Sequence, residues 1–108
     1  MNLDEELRTA LTSIVPVCLP VDYDGEEPEY IAYTYDERGG AFGDDVPDVL
    51  VMELTLHWYL PSGANPNARK RRLRQALLDL GFTCPRIVNA SDNEGQHFVF
   101  ECQREGAL

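Results

Sequence analysis

The alternation of apolar and polar residues along the chain predicts both helices and strands. The clearest segment is 49–60, where apolar side chains at every even position predict a strand with one face in the core: Leu50, Met52, Leu54, Leu56, Trp58 and Leu60. Apolar residues recur at helical spacing between Asn2 and Pro16, and Glu5 completes a start signal that resembles a capping box. We therefore expect a short N-terminal helix and a long central strand, each with one buried face.

Shorter segments rich in β-branched and aromatic residues predict four more strands. These segments are 17–21, 30–35, 82–89 and 96–103. The stretch 36–48 holds three glycines, one proline and five acids, and it is expected to be a loop. The resulting order, α-β-β-β-α-β-β, predicts an α+β fold with two helices packed on one face of a mostly antiparallel sheet. A length of 108 residues suits one domain, covering residues 1–108.

Start and stop signals frame the second helix. Asn65 suits the N-cap, Pro66 suits the first helical position and Gly81 suits the C-terminal cap. Within the helix, the stripe that faces the core holds Leu73, Leu77, Leu80, Ala76 and Arg69. The helix is therefore expected to begin at the proline and to end about one residue before the glycine.

The formal net charge of -10 is spread unevenly along the chain. Residues 1–48 hold 13 acidic and two basic side chains, whereas residues 49–108 hold six acidic and seven basic ones. Five of the basic residues crowd into the first turns of the second helix: Arg69, Lys70, Arg71, Arg72 and Arg74. A molecule with an acidic part and a basic part can attract copies of itself, so these five basic residues are expected to lie in an interface with another subunit or a partner.

The sequence offers no catalytic, cofactor-binding or metal-binding pattern. His57 and His97 are the natural general bases, and both fall within predicted strands as half-exposed residues. Cys18, Cys84 and Cys102 lack the close paired spacing of a zinc site or a disulfide framework, and they are expected to be reduced core thiols. We therefore expect no enzymatic activity, no cofactor and no metal.

The N-terminus and the hydropathy pattern bear on location. Residues 1–6 are acidic where a signal peptide is basic and then apolar. Apolar runs stay well short of the roughly 18 residues that cross a bilayer. We expect a protein that has no contact with a membrane and that is made and kept in a cytoplasm.

One row of the second helix is the best candidate contact surface. On a helical wheel Arg71, Arg74 and Leu78 lie together, away from the core stripe, which leaves the leucine exposed in a monomer between two arginines. This pattern is typical of an interface, although a solvated basic face would show it too. Because the net charge opposes approach to DNA, we favour an acidic protein partner, and the nearest candidate is the acidic half of an identical subunit.

Phe42 is the second candidate contact. It is the only large apolar residue between Asp36 and Asp45, and it is followed closely by the acidic pair Asp44 and Asp45. Such a residue either folds back to anchor its loop or contacts a neighbouring subunit. The loop 36–48 is therefore expected to form a second interface.

Residue patterns along nearly the whole chain resemble those of one family. They are the aromatic strand Tyr30–Tyr35, the segment Gly40–Asp45 before the long strand, the helix end Leu77–Phe82 and the final strand His97–Glu101. Together with the order of elements, they make the chain similar to the small tail terminator, or tail completion, proteins of long-tailed phages and prophages.

The resemblance implies a structural protein without enzymatic activity. Proteins of this family form a ring, usually a hexamer, on the head-proximal end of the tail tube, where the ring halts tube growth and offers a surface to the head connector. The implied partners are further copies of the chain, the tail tube protein and the head-tail connector protein, and genome DNA passes through without specific binding. The implied location is the bacterial host cytoplasm during assembly and then the neck end of the virion tail.

Two other functions agree with the same sequence. One is that of a head-tail completion protein bound to the connector. The other is that of an acidic module that imitates nucleic acid and inhibits a DNA-binding enzyme, since ten surplus negative charges suit a basic partner. Such a mimic binds its partner one to one, whereas a tail terminator associates with itself.

Overall fold

The described part of the chain combines two helices with one five-stranded sheet. The computed structural model describes residues 2–20, 25–39 and 49–107. In chain order the elements are α1 (Leu3–Leu11), β1 (Cys18–Leu19), β2 (Tyr30–Gly39), β3 (Val49–Leu60), α2 (Asn67–Asp79), β4 (Arg86–Asn89) and β5 (Gln96–Ala107). The predicted α+β class and the order α-β-β-β-α-β-β are confirmed.

The sheet is mostly antiparallel. Its strand order is β1-β2-β3-β5-β4, in which β1 pairs with β2 in parallel and every other neighbouring pair is antiparallel. β3 is the central strand, and its register places Tyr59 beside Tyr30 on one side and beside His97 on the other. The pairing of β3 with β5 therefore joins residues that α2 and β4 separate along the chain.

The core lies between the inner face of the sheet and both helices. Each helix buries leucines from one stripe: Leu3, Leu7, Leu11, Leu73 and Leu77. They share one cluster with the inner-face residues of the long strands, of which the largest fully buried are Trp58, Tyr33 and Phe100. Both helices therefore cover the same face, as predicted. The opposite face, called the outer face below, carries no helix of the described chain.

Local signals set the ends of the helices. Asn2 Oδ1 accepts a hydrogen bond from the Glu5 N–H at 2.9 Å, which confirms the predicted start of α1. Gly81 ends α2 with a φ of 92°, a conformation that strains residues with a Cβ. This turn lets the Phe82 N–H donate to the Leu77 carbonyl at 3.1 Å, so the predicted glycine cap is confirmed.

The start of α2 differs from the prediction. Pro66 is the N-cap, and Asn67 is the first helical residue. Asn65 lies one position further out, where its Oδ1 accepts a hydrogen bond from the Asn67 N–H at 3.0 Å. The Asn65 side chain closes a turn of its own before the helix, which displaces the predicted cap by one residue.

Two strands are longer than predicted. β2 continues to Gly39, so residues 36–39 belong to the sheet although they were expected to open a loop. β5 continues to Ala107. Both extensions have the same cause. The two strands pair with β3 as far as its first residues, and the backbone of β3 supplies hydrogen-bond partners for segments whose side chains are mostly polar.

Prolines shorten the two edge strands. β1 covers only Cys18–Leu19 of the predicted segment 17–21, since Pro20 follows it, and β4 begins only after Pro85. Proline has no N–H to donate to a ladder. Beyond the short β1, the edge of β2 has no described strand beside it and carries the charged run Asp36, Glu37 and Arg38.

Candidate subunit interface

The five basic residues at the start of α2 fall into separate groups. The first group, Arg69 and Lys70, contacts the sheet of the same molecule. The Arg69 guanidinium carbon lies 5.9 Å from the centre of the Trp58 ring, and Arg69 Nη2 lies 3.0 Å from Glu29 Oε2. Lys70 Nζ lies 4.2 Å from the centre of the Phe98 ring. These two cations therefore hold α2 against the sheet of their own molecule. The interface predicted for them and for Arg72 stays a prediction.

Arg69 and Glu29 form an ion pair without a hydrogen bond. Their atoms are 3.0 Å apart, but the N–H groups do not point at the carboxylate oxygen. Arg69 Nε, Glu29 Oε2 and Trp58 Nε1 are buried without a hydrogen-bond partner in the described structure.

Arg71, Arg74 and Leu78 form the second group, called the arginine row below. Leu78 is 37% exposed and is the one large hydrophobic residue of the exposed class in the described chain. Arg71 and Arg74 are exposed, and no ion pair or hydrogen bond links either side chain to another described residue. The predicted exposure of Leu78 beside two arginines is confirmed.

Arg72 lies on another side of α2. It is exposed, and its Nη2 donates to the Ser13 carbonyl oxygen at 3.4 Å. Its contact is with the segment that follows α1, away from the arginine row. Arg72 is therefore a natural control for charge changes in that row.

Helix stability does not explain the arginine row. The positive end of the helix dipole lies at the start of α2 and disfavours cations in the first turn, but Arg71 and Arg74 are the fifth and eighth residues of the helix and lie beyond that turn. The first turn of α2 contains no acidic residue that would offset this repulsion. The helix therefore gives Arg71 and Arg74 no stabilising contact of its own, and a partner that supplies negative charge would provide one.

The second predicted interface lies outside the described residues. Phe42, Asp44 and Asp45 fall in residues 40–48, which the structure does not describe. Of the predicted loop 36–48, only the first four residues are placed, and they belong to β2. The contact predicted at Phe42 stays a prediction.

The outer face of the sheet holds an aromatic cluster that the sequence analysis missed. His57 Nδ1 and His97 Nε2 are 2.9 Å apart, and the Tyr59 ring stacks on His97 with centroids 4.2 Å apart. Tyr30 in turn stacks on Tyr59 at 4.7 Å. Both histidines are half-exposed strand residues, as predicted. Their contact depends on the register of β3 with β5, which spacing along the chain does not reveal.

A cleft of about 290 Å³ lies where this aromatic cluster meets the turn between β4 and β5. Its walls include the rings of Tyr30, Tyr59 and His97. Asp92 and Glu94 from the turn complete it. The cleft therefore combines aromatic walls with carboxylates at one end of the outer face.

The cleft is negatively charged. No lysine or arginine of the described chain lines it. Burial lowers the pKa of His97 from its ordinary value of 6.5, the neighbouring His57 lowers it further, and Asp92 acts in the opposite direction. At neutral pH the His97 ring is therefore uncharged and does not offset the carboxylates.

The three cysteines are free thiols, and one of them differs from the prediction. Cys18 is buried and Cys102 is partly buried, but Cys84 is exposed. Cys84 is not a core thiol, because it lies in the segment between α2 and β4, where its side chain is exposed. Burial raises the pKa of Cys18 to about 11 and that of Cys102 to about 12, so both thiols stay protonated near neutral pH.

Two other kinds of site were sought. Within residues 2–20, 25–39 and 49–107, no group of three or more histidine, cysteine, aspartate or glutamate side chains is placed to hold a metal ion. The two described helices are too short and too polar to cross a membrane.

Comparison with known proteins gives no relative from which a function could be transferred. Neither the protein-family models nor the curated proteins compared with this sequence give a match. The arginine row and the acidic aromatic cleft therefore carry the functional inference.

Proposed function

We propose that the chain is a structural assembly protein, a phage tail terminator that forms a homo-oligomeric ring, a hexamer, at the head-proximal end of the tail tube. The observation that carries the proposal is the arginine row, in which an exposed leucine lies beside two arginines without described partners. Arginine and well-packed apolar side chains are typical of the centre of a protein interface. The ring stops tube growth and offers a surface to the head.

Ring formation needs two unlike surfaces on each subunit. A contact between different patches leaves one patch of each molecule free, and it closes into a ring when the rotation between subunits allows. The arginine row is basic, whereas residues 1–48 carry 13 of the 19 acids. This separation of charge within one chain supports a contact between unlike patches.

The resemblance to tail terminators supplies the rest of the proposal. The order α-β-β-β-α-β-β, on which the resemblance partly depends, is the order of the fold. In this function the chain binds copies of itself, the tail tube protein and the head-tail connector protein, without a cofactor. It acts in the host cytoplasm during assembly and afterwards at the neck of the virion, and its acidic surplus lets genome DNA pass without specific binding.

Disruption of the gene in the phage or prophage that encodes the chain tests the proposal. Electron microscopy of the lysates should show overlong or headless tails beside DNA-filled heads. The wild-type chain supplied in trans should restore infectious particles, as should Arg72→Glu, whereas the double variant Arg71→Glu, Arg74→Glu should not. Normal particles from the disrupted phage would overturn the proposal and favour the acidic DNA mimic.

Tail length distinguishes the terminator from a completion protein. Loss of a terminator leaves the tube growing, so its tails should exceed the normal length. Headless tails of normal length would instead assign the chain to head-tail completion and would correct the proposal to that role.

A further inference from the structure

The cleft on the outer face has the chemistry of a receptor for an arginine side chain. A guanidinium group pairs with carboxylates and packs against aromatic side chains, and the cleft offers Asp92 and Glu94 beside the edges of the stacked rings of Tyr30 and Tyr59. Its volume of about 290 Å³ lies at the lower limit of small-molecule pockets. One side chain suits this cleft better than a larger ligand.

The arginine row supplies the matching group. Arg71 and Arg74 are exposed cations without described partners, and Leu78 beside them can cover the edge of an aromatic wall. The row lies in the helix layer, whereas the cleft opens on the outer face of the sheet. The two surfaces cannot meet within one molecule because the sheet lies between them.

We propose that the cleft receives an arginine of the arginine row from a second copy of the chain. This inference rests on the proposed function and places its subunit contact at Asp92 and Glu94, outside the acid-rich residues 1–48. Each docking event uses the cleft of one molecule and the arginine row of the next, so every added copy still presents one free surface. Copies therefore join front to back until the ring closes.

Two half-blocked variants test the contact. One carries Arg71→Glu and Arg74→Glu and keeps the cleft, and the other carries Asp92→Asn and Glu94→Lys and keeps the arginine row. Asn at position 92 retains the oxygen that accepts the backbone N–H of residue 94 at 2.9 Å, so the turn is preserved. Sedimentation velocity should show each variant alone as a monomer and their mixture as a one-to-one dimer that grows no further.

Matched variants control for charge and for folding. Arg72→Glu and Glu105→Lys change exposed charges outside the two surfaces and should associate as the wild type does. The double variant Arg71→Lys, Arg74→Lys keeps the charge but loses the planar fork of N–H groups that pairs with carboxylates, and it should bind roughly tenfold more weakly. Circular dichroism should show the wild-type fold for every variant.

Three results would overturn the inference. The first is a wild-type chain that stays monomeric at about 1 mM, a concentration at which a contact with a millimolar Kd is already half formed. The second is a cleft variant that associates as the wild type does. The third is a mixture of the two half-blocked variants that forms no dimer. If the disrupted phage makes overlong tails but the variants show no docking through the cleft, the proposed function stands and the docking site is wrong. If the variants show docking through the cleft but the disrupted phage makes normal tails, the docking site stands and the proposed function is wrong.

Discussion

Two adjacent leucines of α2 have opposite surroundings. Leu77 is fully buried in the core, whereas Leu78 is 37% exposed in the arginine row. Leu77→Ala should lower the free energy of unfolding by about 2 to 5 kcal/mol, because it leaves a cavity. Leu78→Ala should change it by only about 0.5 kcal/mol. Urea denaturation of both variants measures the difference, and equal losses would contradict the described orientation of α2.

The cysteines should differ in reactivity. Cys84 is exposed, whereas the pKa values of about 11 and 12 leave Cys18 and Cys102 with few thiolate groups at about pH 8. A thiol reagent such as DTNB should therefore react rapidly with one thiol in the folded chain and with three in urea. Rapid reaction of three thiols without denaturant would show that the core is open.

His97 should make stability depend on pH. Its pKa is lowered in the folded chain, so the unfolded chain binds the proton more tightly. Stability is therefore retained above the ordinary value of 6.5 and is lost as the pH falls from there through the lowered pKa. Urea denaturation at about pH 7.5 and about pH 5.5 should show a larger loss for the wild type than for His97→Gln. An equal loss of stability in the wild type and in His97→Gln would show that groups other than His97 cause the pH dependence.

Helical periodicity predicted individual side chains well, but contacts between distant segments could not be predicted. The exposure of Leu78 follows from its angle relative to Leu77 on one helix. Arg69 and Lys70 contact the sheet because β3 and β5 contribute aromatic rings, those of Trp58 and Phe98, beneath them. The helical wheel places Arg69 on the core stripe and away from Arg71, but it does not reveal which rings of other strands the two cations contact.

At the scale of elements, one side chain joins three of them. Arg104 of β5 donates to the Leu80 carbonyl at the end of α2 at 2.9 Å and reaches Glu6 Oε2 of α1 at 3.2 Å. Its side chain is only 16% exposed. The guanidinium therefore connects both helices to the sheet at a position where strand alternation would favour an apolar residue.

Removal of this connection should destabilise the fold. Arg104→Ala should lower the free energy of unfolding by about 2 to 3 kcal/mol, since it leaves a half-buried carboxylate and a helix-end carbonyl without their partner. Arg86→Ala is the matched control, because Arg86 is 78% exposed and 4.0 Å from Glu101. Its loss should be about 0.5 kcal/mol or less. Similar losses in thermal or urea unfolding would show that Arg104 is not a structural connection.

The elements themselves were predictable where a local signal exists. Asn2, Gly81 and the alternation in β3 each predict a feature that the structure contains. The extension of β2 to Gly39 has no such signal, since it depends on the backbone of β3. The contact of His57 with His97 depends in the same way on a register between strands that are distant in sequence.

At the scale of the whole molecule, charge separation predicts an association that salt weakens. The Debye length falls from ~10 Å at about 0.1 M salt to ~3 Å at about 1 M, so attraction between unlike surfaces should be largely screened. Sedimentation velocity should therefore show fewer oligomers at high salt. Leu78→Ala should weaken association at both concentrations without changing this dependence. Association that is insensitive to salt would contradict a contact based on charge.

The charged edge of β2 also limits how copies of the chain can aggregate. An edge with unpaired backbone groups can recruit a strand from another molecule, and repetition of that step leads to cross-β fibrils. Asp36, Glu37 and Arg38 stand on the edge that β1 leaves uncovered, and charged side chains there oppose such recruitment. Copies of the chain can therefore associate through the cleft and the arginine row without also joining their sheet edges into amyloid.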